Sequence, residues 1–81
     1  MRGHYMTLCF KGNTEVTYML KDTDLEVAFE QAVIGGFNTL VLDASGNMLS
    51  NTGFNESDIE FFQEFLKNNL SVIYADARGE L

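Results

Sequence analysis

The 81-residue chain has no proline, no tryptophan, one cysteine, one histidine and only five Lys or Arg residues. Each scarcity removes a class of explanation. One Cys excludes an intramolecular disulfide framework, and one Cys with one His excludes a Cys/His zinc site within a single chain. Five cations against twelve carboxylates leave a formal charge of −7, which opposes direct binding to nucleic acid or to anionic membranes, where Lys and Arg must neutralise phosphates. No apolar run approaches the ~20 residues that span a bilayer, and no leader precedes a small-residue cleavage site. The expectation is one cytoplasmic domain over residues 1–81, with an ordinary apolar content of 46%.

What is present suggests a repeat. Thr23-Asp24-Leu25-Glu26 recurs 34 positions later as Ser57-Asp58-Ile59-Glu60, and Phe37 to Gly46 recurs 33 positions later as Leu70 to Gly79. The chain then reads as a ββα unit over about 4–35, a second over about 36–69 and a truncated third over about 70–81. Thr23 and Ser57 each have Glu three residues on, the spacing of a capping box. Leu25, Ala28, Phe29, Ala32 and Val33 form a helical stripe that Gly35-Gly36 would end. Ile59, Phe62 and Leu66 form a second stripe, with Asn68-Asn69 as its expected stop.

Alternation predicts strands over 4–10 and 15–20, joined by a hairpin turn at Lys11 to Thr14. It sets Met6, Leu8 and Phe10 against Tyr5, Thr7 and Cys9, and Val16, Tyr18 and Leu20 against Glu15, Thr17 and Met19. Strands over 37–42 and 70–75 are apolar on both sides and so read as interior, with a weak strand over 47–50. The expected fold is α+β in two layers: a mixed sheet of about five strands, two helices on one face, and element order ββαββαβ.

Catalytic patterns are sparse. Leu40 to Leu49 resembles the nucleophile strand of haloacid-dehalogenase-type phosphohydrolases, an apolar strand ending in Asp-x-Asp-Gly-Thr, which implies Asp43 as the attacking carboxylate. The second Asp of that pattern is Ser45 here, and its Thr is Asn47. Turn chemistry, with Asp first and Gly last, accounts for Asp43 to Gly46 and equally for Asp76 to Gly79. His4 and Cys9 differ in parity on a strand and cannot pair there. His4 then reads as a solvated terminal residue and Cys9 as a small apolar one. Asn55-Glu56-Ser57 matches a glycosylation sequon by letters only.

These readings predict no catalytic residues, no cofactor and no metal. They predict instead a small acidic interaction module that self-associates as a homodimer. Met19, Phe61, Phe65 and Tyr74 are the candidate contacts, because an uncovered sheet face and a second aromatic flank on the helix suit an interface. Leu81, where the third unit stops, would leave an unpaired strand edge. Asp24, Glu26, Glu30, Asp58, Glu60 and Glu64 would line the two helices as an acidic surface, with a basic protein as a possible partner. Two alternatives stand beside this: an inhibitor that mimics nucleic acid before a basic groove, and a small-ligand binder or enzyme with its pocket between subunits.

Overall fold

A computed structural model describes residues 5–80. Five strands come first: β1 (Met6–Lys11), β2 (Thr14–Lys21), β3 (Asp24–Val33), β4 (Gly36–Asp43) and β5 (Met48–Thr52). A single helix follows, α1 (Glu56–Ala77). The strands form one sheet in the order β1-β2-β3-β4-β5, and every neighbouring pair is antiparallel. The helix lies on one side of this meander, and among the described residues the other side carries no layer.

The expected order ββαββαβ with a mixed sheet is therefore overturned. Residues 24–33 form the central strand rather than a helix. Leu25, Val27 and Phe29 point into the core, while Glu26, Ala28 and Glu30 point out. Period two dominates because this segment pairs along its whole length on both sides, Val27 meeting Tyr18 and Leu42. Gly35, with φ +88°, turns the β3–β4 hairpin instead of ending a helix. Asp22 at φ +57° turns the β2–β3 hairpin where a Thr23 cap was expected.

The second correction is at the other end. Residues 70–75, expected as a strand, belong to α1, which runs through Asn68-Asn69 without stopping. The Asn69 amide donates to the Phe65 carbonyl one turn back, so the residue adapts to the helix interior. The capping box also shifts: Asn55 accepts from the Asp58 N–H at 2.9 Å, and Asp58 accepts from the Asn55 N–H at 3.4 Å. The matched segments of the repeat thus adopt different structures, strand and turn in the first copy and helix in the second. His4 and Leu81 lie outside the described residues.

The core forms between α1 and one sheet face. Val16, Tyr18, Leu25, Val27, Phe29, Leu40 and Leu42 meet Phe54, Phe62, Leu66 and Ile73. Phe62 stacks on Phe29 at 4.6 Å between ring centroids and meets Phe54 edge-on at 5.3 Å. At the far end of the helix, the Tyr18 hydroxyl donates to Asp76 at 2.6 Å, tying β2 to the last turn.

Candidate functional site

Strand parity sorts the side chains of the open face. The β2–β3–β4 registers place Glu15, Thr17, Met19 and Lys21 beside Glu30, Ala28, Glu26 and Asp24. These lie in turn beside Thr39, Val41 and Asp43 on β4. A shift between Thr7 and Cys9 on β1 carries Thr7 and Phe10 to this face and Cys9 to the helix side. That shift corrects two expected positions, Phe10 and Cys9, and Cys9 packs against the core.

Three rows result. Thr7, Thr17, Ala28, Val41 and Ser50 form a central strip of short side chains across all five strands. On one side lie Phe10, Glu15, Glu30, Thr39 and Thr52. On the other lie Met19, Glu26 and Asp43. Val41 is only 8% exposed although no helix or strand among the described residues lies over it. The expected apolar face is therefore largely a Thr, Ala and Glu face at its centre, with Val41 and Met19 as apolar members there and the exposed rings of Phe10 and Phe37 towards its margin.

The carboxylates are held rather than loose. Tyr5 donates its hydroxyl to Glu26 at 2.6 Å, and Thr7 donates to Glu15 at 2.6 Å. Glu15 faces Glu30 directly across the β2–β3 ladder, an unfavourable pairing of like charges. Lys21 is the only basic residue on this face among the described residues.

Asp43 closes the β4–β5 loop. It accepts from the Asn47 N–H at 2.9 Å, the Ser45 N–H at 3.0 Å and the Asn47 side chain at 3.2 Å. The Asn47 N–H, foremost among these donors, holds its carboxyl below the usual carboxylate range. Among the described residues the hydrogen-bond partners of this side chain are groups of its own loop, and the geometry is that of a turn. The matching Asp76 is in α1 and bonds Tyr18, so the two copies of that pattern do different things.

The interaction residues expected from the sequence do not converge. Met19 is half-buried on the open face. Phe61 lies on the helix flank, half exposed, with the Lys11 ammonium 6.0 Å from its ring centroid. Phe65 is turned into the core, edge-on to Phe29 at 6.1 Å. Tyr74 is half-buried beneath the Arg78 guanidinium at 5.1 Å. The acidic set divides as well. Asp24, Glu26 and Glu30 share the open face on β3, whereas Asp58, Glu60 and Glu64 belong to α1, with Asp58 used in the cap. Two parallel helical rows of carboxylates do not exist.

Sequence reasoning missed Glu15, Ala28 and Val41 as one surface, although strict alternation over 25–30 was the signal for it. It also missed the β3–β4 hairpin tip, where Ile34 is fully exposed and Val33 and Phe37 are each about half exposed. A cleft of about 430 Å³ runs between Ala44–Gly46 and the helix, lined by Gln63, Leu66, Lys67 and Leu70, and Gln63 donates to the Gly46 carbonyl there at 2.9 Å. Among the described residues no His, Cys, Asp and Glu side chains gather as a metal-binding group. No helix there is long and apolar enough to cross a membrane. Comparison with protein-family models, curated proteins and solved structures finds no match to this chain.

Proposed function

We propose that this chain is a non-catalytic protein-interaction module whose contact surface is the sheet face opposite α1. One observation carries this: among the described residues a five-stranded sheet holds a helix on one side only, and its other side presents a strip of small and apolar side chains bounded by carboxylates. Two-layer domains normally bury one sheet face and solvate the other. Here the solvated face combines a shielded Val41, a half-buried Met19 and a closely opposed Glu pair, features that suit a partner better than water. The carboxylates ring a patch instead of forming rows at phosphate-like intervals, which favours plain protein association over mimicry of nucleic acid.

The test is a photo-crosslinking amino acid at residue 28, on the open face, in cells that express the chain. A second copy with the crosslinker at residue 71, exposed on the helix, serves as control. A discrete adduct from position 28 and none from position 71 is the expected result. No adduct from position 28 refutes the reading.

Self-association has its own supporting observation. β5 is an edge strand, Met-Leu-Ser-Asn-Thr, with no charge and no proline, and Met48 and Leu49 are each about half exposed. Natural edges are usually blunted by Lys or Pro. Antiparallel pairing of two β5 strands would give a symmetric dimer and leave the open faces free. Sedimentation equilibrium should show twice the 9.1 kDa chain mass, reverting to monomer in Leu49→Lys. A monomer that persists on concentration refutes the dimer.

A further inference from the structure

We propose that the open face receives a basic amphipathic helix of a protein partner, laid across the strands on the strip Thr17–Ala28–Val41. The proposal rests on the interaction-module reading and deepens it by naming the chemistry of the partner. The strip lies on interior strands, whose backbone groups are already used in the ladders on both sides. An extended segment on that face would find no backbone partners and would bury its own N–H and C=O groups unpaired. A helix arrives with those bonds closed. The same sheet already seats one helix, since α1 covers Val16, Val27, Phe29, Leu40 and Leu42 on the other side. On the open side the short side chains of Thr17, Ala28 and Val41 permit an equally close approach.

The dimensions agree. Along β3, Glu26 and Glu30 are four residues apart, ~14 Å, and a helix with its side chains is ~10–12 Å wide. A helix on the strip therefore runs between Glu15 and Glu30 on one flank and Glu26 on the other. Five strands span ~19 Å, which matches about 13 residues of helix. The charge then selects the partner. Glu15 and Glu30 oppose each other in the free chain, and a Lys or Arg placed between them turns that repulsion into attraction. A second copy of this chain would instead set carboxylates against carboxylates. The partner is cationic on both flanks of its helix and carries Ala or Leu along the stripe between them.

The probe is a synthetic peptide of about 14 residues with that pattern, titrated into the isotope-labelled full chain and followed by amide chemical shifts. A scrambled peptide of the same composition is the control. Saturable shifts at Thr17, Ala28 and Val41, with the scramble at least ~10-fold weaker, are expected. Ala28→Arg should abolish binding. Glu15→Gln with Glu30→Gln should weaken it ~10-fold and flatten its dependence on salt. Because those variants change only side chains on the open face, unchanged thermal unfolding separates lost binding from lost fold. Equal binding by the scramble, or shifts centred on the β3–β4 tip or β5, overturns the proposal. A crosslink at position 28 without peptide binding also overturns it and leaves the module reading intact. Absence of both overturns both.

Discussion

The Tyr18–Asp76 hydrogen bond offers a measurement that reaches from one residue to the docking of α1. The Tyr18 ring is 5% exposed, and its hydroxyl donates to a helix carboxylate 58 residues away in sequence. Tyr18→Phe keeps the ring and deletes one O–H. Hydrogen bonds to charged groups contribute ~1.5–3 kcal/mol, but half-buried Asp76 regains some water when its donor leaves, so a loss of ~1–2 kcal/mol is expected. Against a total of ~4–12 kcal/mol for a chain of this length, that is a large fraction. At ~4–8 °C per kcal/mol it lowers Tm by ~4–16 °C. The pH dependence identifies the cause. Donation to the Asp76 carboxylate, with burial adding to it, pushes the Tyr18 phenol up to about 12, against an unfolded value of ~10. The folded state therefore binds the proton more tightly. The stabilisation is fully present below pH ~10 and is lost as pH rises from there towards 12. Urea unfolding followed by circular dichroism at stepped pH should show wild type and Tyr18→Phe converging across that window. In an Asp76→Ala background the Tyr18→Phe cost should shrink. A Tyr18→Phe protein as stable as wild type at pH 7, with the same alkaline profile, would refute the reasoning.

Three further outcomes follow from the same structure. Gly53→Ala should cost ~1–3 kcal/mol, because Gly53 sits at φ +93° and a Cβ there would lie 2.0 Å from the Asn38 side-chain oxygen; adding Asn38→Ala should restore only part of the loss in thermal melts. Phe62→Ala should cost ~3–5 kcal/mol, since the ring contacts Phe29, Phe54 and Phe61 at 4.6, 5.3 and 5.5 Å, and chemical denaturation should find the chain near the edge of folding. Asp43→Ala should remove an acid-limb component of stability: a carboxyl held below 3.8 stabilises above that pH and loses its effect as pH falls through its folded value, so the Ser45 and Asn47 amide shifts should track its titration in the wild type alone.

Much of the sheet was legible because its signals are local. The β1–β2 hairpin, the two faces of β2, the interior place of β4 and the short β5 all follow from alternation and turn residues. The segment 23–33 was ambiguous in a specific way. Leu25, Ala28, Phe29, Ala32 and Val33 satisfy a helical stripe, while Leu25, Val27 and Phe29 satisfy a strand. Glu, Gln and Ala favour a helix intrinsically, and pairing with β2 and β4 outweighs a preference of a few tenths of a kcal/mol per residue. At 70–75 the error ran the other way. Val72, Ile73 and Tyr74 suit a strand, yet no Gly or Pro interrupts 54–78, and Phe62, Leu66 and Ile73 continue one buried face. The apparent repeat gave both errors mutual support, because each copy was read as evidence for the other.

The consequence for the surface is larger than for the fold. As a helix, residues 24–30 would have carried Glu26 and Glu30 one turn apart on a solvated flank, beside a greasy sheet face. As a strand they move to the centre of the open face, and Glu15 on β2 becomes part of the same group. That exchange removes the apolar pressure for two copies to close over the sheet, since the face now carries like charges in register. It also removes the strand edge once expected at the end of the chain, leaving β1 and β5 as the edges. The proposed association is thereby divided between two surfaces of opposite character. On that proposal the uncharged edge at β5 suits a second copy, whereas the carboxylate-bounded strip at Thr17, Ala28 and Val41 would repel one and attract a cationic partner. The two can be separated by salt. Raising ionic strength should release a basic helix from the strip and leave a β5-paired dimer intact, because backbone pairing is screened far less than exposed charge. If both species dissociated together on adding salt, a single charged surface would account for all association, and the division drawn here would fail.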